Sequence, residues 1–114
     1  MFGTNLFDEE IREIETTYYA QNANEFGIPL DTRSSWTKSD WILWTAALTS
    51  DIEKRKKIIA PVANFLRKST SFVPFTDWYF TDTGKIAAFQ NRTVQGGLFA
   101  PLLSDSGIVK FDKE

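Results

Sequence analysis

The sequence predicts a mainly α domain built from antiparallel helical hairpins, with one short β-hairpin. Three observations lead there. Apolar residues recur at helical spacing in two separate stretches, Phe7 to Tyr18 and Ile59 to Leu66. Turn formers cluster between the helical stretches, as in "GIPLDTRSSW" at residues 27–36, and keep the connections short. One segment, "FVPFTDWYFTDTGKIAAF", places aromatic runs on both sides of the turn signal Asp82-Thr83-Gly84. At 114 residues the chain forms one domain, residues 1–114, with a modest core.

The first helix is predicted from about Asp8 to about Asn24. Phe7, Ile11, Ile14 and Tyr18 share one face of a 3.6-residue period and are expected to face the core. Asp8, Glu9 and Glu10 fall in the first turn, where unpaired N–H groups favour negative charge. Gly27 and Pro29 should stop it. A second helix is expected to open on a capping box, Thr37-Lys38-Ser39-Asp40. The run that follows, "WILWTAAL", is apolar almost all round, which asks for burial on most sides.

A second capping box, Ser50-Asp51-Ile52-Glu53, opens a third helix running to about Ser69. Its core stripe is read as Ile59, Val62 and Leu66, and Pro61 should kink or loosen one turn. Asp77–Phe80 with Ile86–Phe89 is expected to form a short β-hairpin, with an extended loop as the rival reading. From Thr93 a last short helix is weakened by Gly96, Gly97 and Pro101, and the two adjacent glycines point to close approach of another backbone. The end, "DSGIVKFDKE", is expected to fray or to form an edge strand.

Composition narrows the chemistry. A net charge of −2 argues against nucleic acid or an anionic membrane as partner. The one basic run, Lys54 to Lys57, follows two acids, Asp51 and Glu53, and is expected to be a solvated helix face. The sequence has no cysteine and no histidine. Thiol nucleophiles, thiolate metal sites, Ser-His-Asp catalysis and ordinary zinc chemistry are therefore excluded, and no metal or cofactor is expected. Any catalysis falls to carboxylates, hydroxyls, amides, Lys or Arg. No apolar run approaches the roughly 20 residues that span a bilayer. The acidic start, "MFGTNLFDEEIREIE", lacks a signal-peptide pattern, so the expectation is a cytoplasmic product or a piece of something longer.

Two long stretches, "YAQNANEFGIPLDTRSSWTKSDWILWTAAL" and "VPFTDWYFTDTGKIAAFQNRTVQGGLFAPLL", closely resemble the C-terminal domain of the fungal and bacterial glutaminase A family. The resemblance runs from about Tyr19 to Leu103. It implies a partial α/α toroid of the six-hairpin glycosidase type, whose full-length relatives look secreted or periplasmic. A complete toroid has about twelve helices and this sequence has about four, so the resemblance implies a sector of a ring. Helix 2 would then lack neighbours on some sides. The expectation is self-association, or a companion polypeptide that supplies the missing helices. The activity implied is hydrolysis of glutamine to glutamate and ammonia, while the barrel type also handles glycosides.

The candidate catalytic pair is Asp40 and Asp77. Asp40 suits a general acid or base, or a ligand hydrogen bond, and its bland reading is the carboxylate of a capping box. Asp77, in "PFTDW", lies among rings where burial suits general-acid work, against a turn aspartate accepting backbone N–H groups. Arg92 is placed to neutralise Asp77 or Asp82. Candidate substrate-binding residues are Arg33, Trp36, Lys38 and Trp78. Arg33 would grip a carboxylate bidentately, with a local pair to Asp31 as the alternative. Trp36 either staples the helix or stacks on a ligand. Lys38 is the weaker candidate, more naturally solvated, and Trp41 and Trp44 read as core.

Ser34, Ser35 and Thr76 have no identifiable base nearby. Asn91-Arg92-Thr93 matches a glycosylation pattern and is read as coincidence. Three functions are compatible with these residues. One is a glutaminase-like domain inactive on its own, the second a carbohydrate-processing or carbohydrate-binding element, the third a structural remnant that oligomerises. The substrate would be small and polar, or a carbohydrate.

Overall fold

A computed structural model describes residues 6–69 and 74–107. It is mainly α, as expected. In sequence order the elements are α1 (Glu9–Gln21), β1 (Trp36–Lys38), α2 (Ser39–Ala46), α3 (Ile52–Lys68), β2 (Trp78–Phe80), a 3-10 helix (Thr93–Phe99) and α4 (Ala100–Ser106). Residues 108–114, the greater part of the expected frayed end or edge strand, lie outside the described residues. Among the described residues no helix is long and apolar enough to cross a membrane.

The core gathers Ile28, Ile42, Leu43, Ala46, Ile58 and Val62, with Tyr19, Ala20, Ile59 and Leu98 packed against it. A second layer forms where Phe65 stacks flat on Tyr79, with ring centroids 3.5 Å apart. The Tyr79 hydroxyl donates to the Phe26 carbonyl at 2.9 Å, and burial pushes that phenol well above its ordinary range. Gly27 is a close-contact position. A Cβ there would meet the methyl groups of Thr37 and Thr81 at 3.1 Å and Ile42 Cδ1 at 3.2 Å.

α1 corrects the expected orientation. Its single buried residue is Thr16, and the stripe of Phe7, Ile11, Ile14 and Tyr18 is exposed. The helix also stops before Asn24. The Asn22 side-chain amide donates to the Tyr18 carbonyl at 2.8 Å and the Asn24 N–H donates to Gly27 O at 2.8 Å. Local bonds of this kind compete with the helical ladder.

The capping box expected at Thr37 does not form. Thr37 belongs to β1, opposite Tyr79, and α2 begins only at Ser39, with no hydrogen bond from a capping residue's side group. The strand wins because Thr37 is held by its neighbour β2 and by packing on Gly27. The Ser39 N–H is instead satisfied by the Asp77 carbonyl at 2.9 Å. α3 is capped one residue later than Ser50, since the Asp51 carboxylate accepts from Glu53 N at 2.9 Å and Lys54 N at 3.1 Å.

The stripe of α3 is likewise rotated, to Ile58, Val62 and Phe65, while Leu66 is exposed. The helix continues through Pro61. The bond that Pro61 cannot make would end on Lys57, which is exposed. The basic run is not wholly solvated. Lys54 pairs with Glu13 of α1 and Arg55 with Asp105 of α4, with side chains only 12% and 19% exposed.

The β-hairpin is partly right. β2 begins at Trp78 and meets Ile86 in a single bridge to Tyr79, but its main partner is β1. The register is antiparallel: Trp36 faces Phe80, Thr37 faces Tyr79 and Lys38 faces Trp78. Strand alternation puts Thr37 and Tyr79 inside, leaving Trp36, Lys38, Trp78 and Phe80 on the half-exposed face.

Candidate functional site

The two expected carboxylates are brought together where β1 runs into α2. Asp77 precedes β2, and Asp40 is the second residue of α2, one position after the Ser39 N–H that bonds to Asp77. Both are buried, Asp40 at 2% exposure and Asp77 at 0%. Asp77 is not a turn aspartate capping backbone N–H groups. Arg92 Nε donates to Asp77 Oδ1 at 3.0 Å, and Arg92 Nη2 closes the fork on Oδ2. This is the neutralisation expected of Arg92. Asn91, in the left-handed region at φ 55°, turns the backbone just before that arginine, and its N–H donates to Phe75 O at 2.9 Å.

Asp40 is the chemically unusual member. Its Oδ1 is buried with no protein hydrogen-bond partner among the described residues. Burial raises its pKa above the ordinary carboxylate value, and the nearby charge of Asp77 adds to this. Its own backbone N–H, Lys38 and Arg92 pull the other way. The hydroxyls of Thr37 and Ser39, three and one positions earlier, are likewise buried without protein partners among the described residues. Gly97 of the 3-10 helix closes over this corner: a Cβ there would lie 2.8 Å from Asp40 Cβ and 2.6 Å from Trp44 Nε1. The close approach read from the paired glycines is therefore real at Gly97, although the neighbour is a pair of side chains. Gly96 has open space.

A row of rings borders the carboxylates. Trp36 meets Trp78 edge-on at 5.6 Å, and Trp78 meets Phe89 at 5.6 Å. Arg92 sits over Phe89 at 4.9 Å, and Lys38 Nζ over Trp78 at 5.2 Å. Lys38 is thus held on a ring. Trp36 packs on Trp78, a diagonal neighbour across the strand pair, so it does not staple α2. Thr76 Oγ1 donates to Phe89 O at 2.6 Å and so ties the Phe89 segment to β2.

Other candidates fall elsewhere. Arg33 forms the local pair: its Nε donates to Asp31 Oδ1 at 3.0 Å and Nη2 to Oδ2 at 2.6 Å, in a side chain 76% exposed. Trp41 and Trp44, expected in the core, are 48% and 42% exposed. α2 buries Ile42, Leu43 and Ala46 instead, and the described residues leave Trp41 and Trp44 on its outer side half-exposed. Trp44, Gly97 and Phe89 border the site without standing out in the sequence as site residues. Only the paired glycines signal the first two, and nothing local signals Phe89.

One groove, about 600 Å³, lies between the end of α1 and the 29–35 loop. The second, about 270 Å³, lies by Arg12, Thr49 and Arg55. Neither groove is lined by Asp40 or Asp77. Among the described residues no group of three or more His, Cys, Asp or Glu side chains is placed to hold a metal ion.

The chain matches the family model described as the glutaminase A six helical-hairpin domain over residues 1–102. It is 36% identical over 104 residues to glutaminase A of Aspergillus oryzae, covering 89% of this chain and 15% of that protein. It is 33% identical over 100 residues to a probable glutaminase of Arthroderma benhamiae, covering 85% of this chain and 12% of the relative. No solved structure matches it. The chain therefore spans a small fraction of these relatives' length, yet the match runs through both aspartates, the Arg92 clamp and the ring-lined edge, and it belongs to the glutaminase A six helical-hairpin domain family.

Proposed function

We propose that this protein supplies part of the substrate site for glutamine amide hydrolysis and acts only within a larger assembly. Asp40 carries the proposal. Burial and the nearby Asp77 favour its neutral form, and its Oδ1 has no protein partner. A neutral carboxyl can give its proton to the nitrogen of the departing ammonia as the carboxamide C–N bond breaks. Water supplies the oxygen of the new carboxylate, and its proton restores Asp40. Asp77, held in the Arg92 fork, is a positioning residue. Lys38 and Arg92 are the cations available to a substrate carboxylate, and Trp36, Trp78 and Phe89 form an apolar wall. Neither described groove reaches Asp40 or Asp77, which argues against activity of the isolated domain.

The ring row supports a second reading, a carbohydrate-processing or carbohydrate-binding element of the six-hairpin glycosidase type. Against glycoside hydrolysis, Asp77 is engaged on both oxygens by Arg92 and is not free as a nucleophile or base. A structural, oligomerising remnant is the third reading and predicts no ligand at all.

Thermal-shift measurement separates them. L-glutamine should raise the melting temperature of the protein, and Asp40→Ala should remove that rise. A rise with oligosaccharides alone favours the second reading. No rise with either leaves the remnant and overturns the proposal.

A further inference from the structure

We propose that the groove between the end of α1 and the 29–35 loop binds a short neutral oligosaccharide. Asp40, Asp77, Arg92 and the ring row line no part of it, so the inference goes beyond the glutamine reading. Its volume, about 600 Å³, falls in the range of roughly 300–1,000 Å³ found for small-molecule clefts. The lining decides the class of ligand. Asp31 is its one charged residue, and Arg33 already balances that charge, with Nε on Oδ1 at 3.0 Å and Nη2 on Oδ2 at 2.6 Å. No charge is left over to pair with a phosphate, a carboxylate or an ammonium, so a free amino acid such as glutamine is poorly matched.

What remains is amide and hydroxyl: Gln21, Asn22, Asn24, Thr32, Ser34 and Ser35. Three of these are oriented by bonds to the protein. Asn22 Nδ2 donates to Tyr18 O at 2.8 Å, Asn24 Nδ2 to Thr81 Oγ1 at 2.8 Å, and Ser35 Oγ to Asp82 Oδ1 at 3.1 Å. Each amide still has a second N–H and a carbonyl oxygen, and the hydroxyl still accepts. Uncharged side chains that both donate and accept suit sugar hydroxyls, which do the same. Tyr18 supplies a ring. It is 51% exposed and stands edge-on to Tyr19, with ring centroids 6.3 Å apart. The C–H face of a pyranose can pack on such a ring while its hydroxyls turn to the amides. The loop side of the groove is pre-formed. Leu30 N donates to Trp36 O at 3.0 Å and Asp31 bridges to Ser34, so little ordering is required on binding.

The test is a titration of the whole isotope-labelled protein with cellotriose, maltotriose and triacetylchitotriose, followed by two-dimensional amide NMR. At least one sugar should move the backbone signals of residues 21–24 and 30–35 saturably, with a Kd on the order of 1 mM for an open groove. Tyr18→Ala, at an exposed position, should weaken that binding about tenfold. The map on the unaltered protein holds even if the variant unfolds. Shifts confined to Trp36, Trp78 and Phe89 place the sugar on the ring row and overturn the proposal. So do the absence of shifts with all three sugars, an unchanged Kd in folded Tyr18→Ala, and groove shifts produced by L-glutamine. L-glutamine that moves no signal counts against the Asp40 reading alone, so the two can fail separately.

Discussion

Arg92 grips the fully buried carboxylate of Asp77 with both arms of its guanidinium, Nε on Oδ1 at 3.0 Å and Nη2 on Oδ2. The two partners are not equally sheltered, since the Arg92 side chain is 30% exposed and Asp77 is not exposed at all. Their removal should therefore have unequal effects. Arg92→Met strands a buried carboxylate, and such a loss costs about 3–5 kcal/mol. Asp77→Asn keeps the shape and leaves a cation that water still reaches, so it should cost clearly less. Urea unfolding midpoints of the two variants check the order. Equal losses would mean that the clamp does not hold the Asp77 corner as described.

Asp40 should make stability depend on pH in the direction opposite to an ordinary carboxylate. Its folded pKa is raised, chiefly by burial, so the native state keeps a proton that the unfolded state has lost. Stability from this group therefore falls as pH rises from its ordinary value toward its raised one. Asp40→Asn removes that fall. The variant should gain on the parent as pH increases from about 4 to about 8, a range above the ordinary Asp value. Asp31 and Asp51, both lowered by their hydrogen bonds, contribute the opposite slope but equally in parent and variant. Urea midpoints across that range give the measurement, and parallel curves would contradict the burial of Asp40.

Gly97→Ala should destabilise where Gly96→Ala does not. The new methyl at residue 97 would fall 2.6 Å from Trp44 Nε1 and 2.8 Å from Asp40 Cβ, which forces a shift of α2 or of the 3-10 helix. Overpacking of this kind costs about 1–3 kcal/mol. At residue 96 nothing stands within 4 Å, so alanine should be neutral or slightly favourable. Differential scanning calorimetry of the pair tests the approach of the two elements.

The start of α3 offers a test of register. Asp51 accepts both N–H groups of the first turn, and Ser50 accepts neither. Asp51→Ala should lower the melting temperature, whereas Ser50→Ala should leave it within error. The Asp51 effect should shrink below its lowered pKa, where the carboxyl is protonated and a weaker acceptor.

Residue order was enough to establish the class of structure and the place of each helix. Periodicity marks α1 and α3, turn formers mark the connections, and family-like runs mark a glutaminase A domain. Those signals are local, carried by neighbours within one or two turns. Asp40, Asp77 and Arg92 stand out in the sequence as candidate groups, and the structure places them near one another. Which way the elements face came only from packing in three dimensions. Thr37 reads as a helix cap, yet it pairs with Tyr79, 42 positions further on, so strand formation takes the residue the cap needed. The stripe of α1 has helical period but turns outward, and that of α3 is rotated onto Ile58 and Phe65. Periodicity gives the angle between residues and leaves open which face the rest of the molecule covers. Arg33 and Arg92 are equally cationic in sequence. One closes on Asp31 two residues away, while the other crosses to Asp77, 15 residues away, from just after the left-handed Asn91.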